Sequence, residues 1–224
     1  MRNSVSNCRW AFGLVLAIGC AGLSTPPSFP AEIPALVAEN SAGGDPYGGR
    51  FPLEEALSGL EEGRGLRATL ETDAGVIHCR LDLGTPLTVA NFVGLARGVR
   101  PFRDEDGSWI RAPYYEGSPW HRALDSQFVQ TGRHGELEGP GYRLQDEMSS
   151  GHRFDRGGLL AMANKGAAHS ASAQFFITTS SLPHLNGQYT IFGSCDDEHV
   201  ARELEQRVLR GERPRLQHVV VTRE

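Results

Sequence analysis

The chain has 224 residues, of which 39% are hydrophobic and 22% are charged, and its formal net charge at pH 7 is -5. A mildly acidic protein is a poor binder of nucleic acid, so we predict no nucleic-acid partner. The length and composition fit one globular domain with a substantial core, preceded by a shorter segment of different composition.

The N-terminus has the pattern of an export signal. Arg2 and Arg9 form a positive region, and the apolar run that follows is shorter than the ~20 residues that a membrane-spanning helix needs. The run ends at Cys20, and a small residue directly before a cysteine is similar to a bacterial lipoprotein processing site. Two interpretations remain open: lipidation of Cys20, with membrane contact only through this anchor at the outer membrane, or ordinary secretory cleavage near Ala21. Both predict an exported, periplasmic protein with a signal peptide over residues 1–20.

The remainder of the chain divides into two predicted regions. Residues 21–63 are rich in proline, glycine, alanine and serine in their first part, a composition that favours a linker, with a short amphipathic helix over 53–60. The globular domain is predicted over 64–224. Its two cysteines, Cys79 and Cys195, form either a disulfide, which export permits, or two buried thiols.

Hydrophobic periodicity predicts mostly strands in this domain. Alternation over 66–72 and again over 76–81, around an intervening turn, indicates a hairpin. Helices are predicted over 86–97, where a proline takes an early position, and over 198–210. A long irregular loop is predicted over 133–157. Eight short strands with two helices favour an all-β barrel or sandwich; the other six strands are predicted over 119–124, 128–132, 158–163, 173–179, 189–194 and 216–222.

Three spaced fragments carry the strongest functional pattern: Trp120-His121-Arg122, Phe128-Val129-Gln130 and Ala173-Gln174-Phe175-Phe176-Ile177-Thr178. Together they predict an apolar pocket with one cationic donor at its rim. The chain has no C-x-x-C and no H-E-x-x-H motif, so we predict no metal and no cofactor. With the flanking Met162-Ala163-Asn164 and Tyr189-Thr190-Ile191-Phe192-Gly193, the fragments resemble the cyclophilins, a family of peptidyl-prolyl cis/trans isomerases.

The resemblance covers roughly residues 66–223 and implies a mainly β fold, a closed eight-stranded antiparallel barrel capped by two α-helices. It also implies a prolyl isomerase that assists the folding of exported proteins, because the loop over 98–112 is like that of exported bacterial members. Its partners would be proline-containing segments of unfolded or folding proteins, and a monomer is expected. His184 stands where the family usually has tryptophan, which implies weak cyclosporin binding.

The resemblance also assigns the site residues. Isomerisation breaks no bond, so the reaction needs no nucleophile. Arg122 would donate a hydrogen bond to the prolyl nitrogen of the twisted amide, Gln130 would orient Arg122, and Phe176 would form the pocket floor. By strand alternation Phe175 would point into the barrel core. Eight further residues match substrate-binding positions of the family: His121, Phe128, Met162, Ala163, Asn164, His184, Leu185 and Tyr189.

The chain departs from the family at the second pocket phenylalanine, which usually falls five residues after the arginine. Gln127 occupies that position, and Phe128 beside it should point to the opposite face unless the strand is bulged. A polar amide in the pocket would weaken turnover, so the alternative function is a catalytically weak, proline-segment-binding chaperone or assembly subunit. A third hypothesis is a secreted hydrolase using His121, Asp125 and Ser126, but the chain has no G-x-S-x-G motif.

Overall fold

The structure is a computed structural model that describes residues 32–148 and 151–224. The signal segment, Cys20 and the beginning of the predicted linker lie outside these residues. The helices are α1 (Glu32–Ala42), α2 (Leu53–Leu57), α3 (Pro86–Ala96) and α4 (Glu198–Leu209). Within the two described stretches, no helix is both long enough and apolar enough to cross a membrane.

The fold is mainly β, with most strands in one antiparallel sheet. The strands are β1 (Leu66–Thr72), β2 (Gly75–Leu81), β3 (Phe102–Arg103), β4 (Trp109–Ile110), β5 (Ser118–Pro119), β6 (Arg122–Leu124), β7 (Phe128–Thr131), β8 (Leu159–Met162), β9 (Phe175–Thr178), β10 (Ile191–Cys195) and β11 (Arg215–Arg223). Nine of them form the sheet in the order β5-β11-β1-β2-β10-β8-β9-β7-β6, and β3 and β4 form a separate small hairpin.

The sheet closes on itself because its two edge strands are halves of one stretch of chain. β5 pairs with β11, β6 pairs with β7, and only Trp120 and His121 separate β5 from β6. The Trp120 N–H donates to the carbonyl of Pro214 at 2.8 Å, and the His121 N–H donates to the carbonyl of Gln130 at 3.1 Å. The single predicted strand over 119–124 is therefore interrupted where the chain crosses between the edges, so eight predicted strands become nine.

Alternation along each strand divides the apolar side chains between two clusters. The larger cluster fills the barrel and includes Phe175, which is fully buried as predicted. α3 enters this core: its Phe92 ring packs within 5.5 Å, centroid to centroid, of the rings of Tyr115, Phe175 and Phe192. The inner face of α4 contributes three residues to the same core, Val200, Ala201 and Leu204. Both predicted helices therefore pack on the barrel interior.

The predicted linker is folded wherever the structure describes it, which corrects the assignment of 21–63 for residues 32–63. The short predicted helix near 53–60 is present as α2, but α1 was not anticipated. The carboxylate of Asp45, just after α1, receives hydrogen bonds of 2.7 Å from both terminal nitrogens of Arg100, and both side chains are 0% exposed. This buried ion pair fixes the segment to the domain.

The two cysteines of the domain form a disulfide. Cys79 on β2 lies directly opposite Cys195 on β10 in the ladder that joins the two strands, and the bond links positions 116 residues apart. Of the two alternatives that the sequence left open, the structure has the disulfide.

Candidate functional site

A second apolar cluster lies on the outer face of the barrel, over strands β7, β8 and β9. It forms because each of these strands sends alternate side chains outward. Its buried members are Phe128, Phe154, Leu159, Ala161, Phe176, Leu182 and Ile191, with Ala163, Leu185 and Tyr189 packed against them. Four of the five fragments singled out in the sequence therefore meet on one surface.

Phe176 is the centre of this cluster. Its ring lies 5.1 Å from that of Phe128, 5.5 Å from that of Tyr189 and 6.0 Å from that of Phe154, measured between centroids. Phe154 stacks nearly parallel to Phe176, with 13° between the two ring planes. Phe154 was not predicted as a site residue, and the available signal was an aromatic residue in a mostly polar part of the long loop.

Phe128, not Gln127, lies beside Phe176. On β7, Phe128 and Gln130 alternate onto the outer face, and Gln130 lies directly opposite Phe176 on β9. The main chain of Gln127 instead belongs to the turn before β7, where its N–H donates to the carbonyl of Leu124. The pocket wall thus has a phenylalanine one position later than in the family pattern, and the expectation that Phe128 would point to the opposite face was wrong.

A chain of polar side chains leads from the rim of the cluster. The guanidinium of Arg122 lies over the ring of Phe128, 5.2 Å from its centroid, and donates to Oε1 of Gln130 at 3.1 Å. Gln130, which is 6% exposed, donates in turn to Oε1 of Gln174 at 2.9 Å. Gln174 belongs to one of the sequence fragments but had no predicted role, and the structure makes it a member of the site.

His121 also contacts Gln174. Its Nε2 lies 3.2 Å from Gln174 Oε1, and its Nδ1 lies 3.2 Å from the carbonyl of Pro119. Burial lowers the pKa of His121, which keeps the ring neutral near pH 7. With both ring nitrogens facing these oxygens, His121 does not form a catalytic triad with Asp125 and Ser126, whose own side chains are exposed.

Of two further substrate-binding candidates, one faces away from the cluster and the other lies at the surface. Met162 points into the barrel core, opposite Phe175, and Ala161 faces the outer cluster instead. The side chain of Met162 therefore does not line the pocket, which corrects that assignment: the alternation on β8 puts it on the inner face. His184 is exposed, in a single 3-10 turn over Pro183–Leu185.

Asn164 lies at the end of this surface, just after β8. Its amide donates to the carbonyl of Gln188 at 2.7 Å, and its Oδ1 accepts from the N–H of Gly166 at 3.0 Å. The preceding Ala163 donates its N–H to the carbonyl of Gln174 at 2.9 Å. Both residues are thus held in place at the edge of the site by hydrogen bonds.

A polar groove of about 390 Å³ adjoins the Gln174 side of the site. Gln174 reaches it by donating to the carbonyl of Glu138, which lines the groove, at 3.0 Å. Lys165 and Ser172 also line it, and α1 supplies one wall through Glu39 and Asn40. The folded segment before the barrel therefore contributes to the surface next to the pocket.

Comparison with known proteins identifies the same region. Residues 67–223 match the family model described as cyclophilin type peptidyl-prolyl cis-trans isomerase/CLD. Peptidyl-prolyl cis-trans isomerase A of Mycobacterium tuberculosis is 41% identical over 146 residues, which are 62% of this chain and 78% of the relative. Peptidyl-prolyl cis-trans isomerase B of Streptomyces anulatus is 39% identical, covering 59% and 78% respectively.

Solved structures give the same result. The crystal structure of a cyclophilin type peptidyl-prolyl cis-trans isomerase of Cryptosporidium parvum superposes with a TM-score of 0.59 at 25% identity, covering 72% of this chain and 99% of the other. A second structure of that protein, in the presence of the dipeptide Ala-Pro, gives a TM-score of 0.57 at 25% identity, with coverages of 72% and 100%.

Proposed function

Because the chain belongs to the cyclophilin-type peptidyl-prolyl cis-trans isomerases, we propose that its outer apolar cluster receives a substrate proline and that Arg122 promotes rotation of the X-Pro bond. Rotation of a peptide bond meets a barrier of ~18–20 kcal/mol, and uncatalysed X-Pro exchange takes tens to hundreds of seconds. The observation that carries the proposal is the guanidinium of Arg122, oriented by Gln130 and lying at the rim of the cluster around Phe176.

The chemistry follows from the electronic structure of the amide. Twisting the X-Pro bond ends its resonance and localises a lone pair on the prolyl nitrogen. A hydrogen bond from Arg122 to that nitrogen is then stronger in the transition state than in the ground state, which is the condition for catalysis. Arginine suits this role because it remains charged and presents several fixed donors.

Arg122 alone supplies only part of the rate enhancement. A hydrogen bond to a charged group contributes about 1.5–3 kcal/mol, whereas a ~10⁶-fold acceleration requires ~8 kcal/mol. The remainder comes from the pocket: Phe128, Phe154 and Phe176 hold the proline ring and exclude water from the amide, which strengthens the arginine's hydrogen bond.

The substrates we propose are proline-containing segments of unfolded or folding proteins, bound as extended chain. The relative from Cryptosporidium parvum whose structure was determined in the presence of Ala-Pro supports this class of ligand. Asn164 and Ala163, held at the edge of the site, would contact the main chain of such a segment. We propose weak cyclosporin binding, because His184 offers less apolar surface than a tryptophan.

The substitution Arg122→Ala tests the proposed mechanism. We expect kcat/KM for an Ala-Pro-Phe-type peptide, measured by NMR exchange, to fall roughly 10- to 100-fold, the loss of one charge-assisted hydrogen bond. Arg202→Ala is the control, since Arg202 is exposed on α4 and pairs with Glu198. Equal activity of both variants would rule out the role of Arg122, and peptide binding without faster exchange in the unmodified protein would favour a chaperone.

We further propose that the protein is exported, lipid-anchored through Cys20 at the outer membrane, and acts on exported proteins as they fold. The N-terminal sequence pattern and the Cys79–Cys195 disulfide support an oxidising compartment. We expect labelled palmitate to be incorporated into the unmodified protein and not into Cys20→Ala. An unlabelled protein released in soluble form from the periplasm would indicate ordinary cleavage, and an uncleaved cytoplasmic protein would refute export altogether.

A further inference from the structure

One carboxylate of α4 is buried beneath the turn that joins β6, whose first residue is Arg122, to β7. Glu205 is only 3% exposed. Its Oε1 accepts hydrogen bonds from the N–H of Gln127 at 3.0 Å and from the hydroxyl of Thr179 at 2.8 Å. Acidic side chains are seldom fully buried, and in the described chain the acids of α4 that form ion pairs are Glu198 and Glu203. The position of Glu205 therefore depends on these two neutral donors.

The two donors belong to the two strands that form the site. Gln127 ends the turn between β6 and β7, five residues after Arg122, and Thr179 directly follows β9, three residues after Phe176. The carboxylate of Glu205 thus links the turn of the β6–β7 hairpin, which contains Arg122, to the end of β9, which contains Phe176.

Two more hydrogen bonds join the same segments. The N–H of Thr179 donates to the carbonyl of Gln127 at 2.8 Å, and the hydroxyl of Ser180 donates to the carbonyl of Ser126 at 2.7 Å. Ser126 has a φ of 56°, in the left-handed region that costs a non-glycine residue roughly 1 kcal/mol or more. A turn in this conformation persists only where its surroundings hold it.

The strand before the turn is too short to fix the arginine by itself. β6 has only three residues, and its first residue, Arg122, pairs with Gln130 on β7. On its other side β6 is an edge of the sheet, next to the interruption at Trp120 and His121. A change in the angle of the turn would therefore move Arg122 relative to Phe176.

We propose that Glu205 is a positioning residue for the isomerase reaction. It fixes the turn between β6 and β7 to the end of β9. In this way it keeps the guanidinium of Arg122 where it can donate to the amide of a proline that is bound against Phe176. Glu205 does not contact the substrate. This inference rests on the proposed role of Arg122 and goes beyond it by assigning a function to a side chain of α4.

The experiment compares Glu205→Ala with Glu205→Gln by peptide exchange NMR. We expect Glu205→Ala to lower kcat about tenfold, with the KM for the peptide changed by less than about twofold, since the pocket itself is intact. Glu205→Gln keeps an oxygen acceptor at Oε1 and should recover most of the rate. The matched control is Glu203→Gln on the exposed face of the same helix, where the side chain is 54% exposed.

Two further measurements separate positioning from loss of folding. The Arg122 Nε–H resonance should shift in Glu205→Ala and return in Glu205→Gln. If Glu205→Ala does not fold, Thr179→Val removes one of the two donors without changing the size of the side chain, and should lower kcat and shift the same resonance.

Specific results would overturn the inference. Unchanged kcat in folded Glu205→Ala would do so, as would a loss shared equally by Glu203→Gln. The inference would also be overturned if Thr179→Val kept full kcat and left the Arg122 resonance unshifted. Full activity of Arg122→Ala is a different failure, because it removes the proposed mechanism and leaves any effect of Glu205 to be explained through the pocket.

Discussion

Three polar side chains, each in contact with the next, fix the position of Arg122. Gln130 accepts from Arg122, Gln174 accepts from Gln130, and His121 contacts the same oxygen of Gln174. When the ring is neutral and carries its proton on Nε2, His121 donates to that oxygen. The histidine thus orients the arginine through two amides, and no step of the proposed reaction takes a proton from it.

The burial of His121 gives the stability of the fold a pH dependence. Burial holds the pKa of His121 below the value of about 6.5 that applies in the unfolded chain. As pH falls below about 6.5, the unfolded state takes up this proton first, so the free energy of unfolding decreases; above that pH the group has no effect.

The substitution His121→Gln tests this dependence. We expect it to reduce the loss of unfolding free energy between about pH 7 and about pH 5, measured by urea denaturation at each pH. His218→Gln serves as the control because His218 is exposed, beside Glu116. An equal loss of stability in His121→Gln and the unmodified protein would show that other groups determine the acid sensitivity.

Alternation predicted which of two adjacent phenylalanines faces the pocket, because the side-chain period of a strand is two. It could not predict Phe154, whose contact with Phe176 depends on the path of a long loop. Met162 was assigned to the pocket by resemblance, but the same alternation puts Ala161 there. At the scale of single residues, alternation separated Phe175 from Phe176, but it put Phe128 on the wrong face and gave no signal for a position contributed by a loop.

At the scale of elements, α1 shows why composition alone misjudged the segment before the barrel. The proline and glycine around it suggested a linker, yet the segment is held by polar groups whose partners lie far along the chain. Asn40 donates to the carbonyl of Arg143 at 2.8 Å, and Asp45 binds Arg100, whose guanidinium lies 4.0 Å from the ring centroid of Tyr142. Such contacts leave no periodic pattern in the sequence.

The ion pair between Asp45 and Arg100 should dominate the docking of α1. Asp45→Ala leaves the guanidinium of Arg100 buried without a counter-charge, so we expect the free energy of unfolding to fall by about 3–5 kcal/mol in urea denaturation. Glu39→Ala is the matched control, since Glu39 pairs with Arg143 at the surface, with 63% of its side chain exposed, and should cost less than about 1 kcal/mol. Similar losses in both variants would mean that the buried pair has no special role.

At the scale of the whole molecule, the eight short alternating segments predicted an all-β barrel or sandwich, and the resemblance to the cyclophilins narrowed this to a closed barrel. The closure itself was not predictable from periodicity, since it depends on the crossing at Trp120 and His121 from one edge of the sheet to the other. In the sequence, the two short strands on either side of that crossing, β5 and β6, have the pattern of a single strand. The path of the chain through space, rather than the propensity of its residues, decides this feature.

The disulfide between Cys79 and Cys195 should stabilise the whole barrel. It joins β2 to β10 and closes a loop with a sequence separation of 116 residues, so it restricts a large part of the unfolded chain. Replacing both cysteines by alanine should therefore lower the free energy of unfolding by about 2–5 kcal/mol. Isomerase activity of the folded variant should be unchanged, because both cysteines lie in the barrel core while the pocket lies on its outer face.

Urea denaturation with and without a reducing agent provides the measurement. Reduction should destabilise the unmodified protein and leave the double variant unaffected. The loss on reduction measures the covalent link, and any additional loss in the double variant measures the two buried sulfurs. Two titratable thiols in the folded, oxidised domain would contradict the prediction. If reduction instead lowered kcat/KM in fully folded protein, the barrel core and the outer pocket would be coupled through β10, which carries Ile191 in the pocket cluster and Cys195 in the bond.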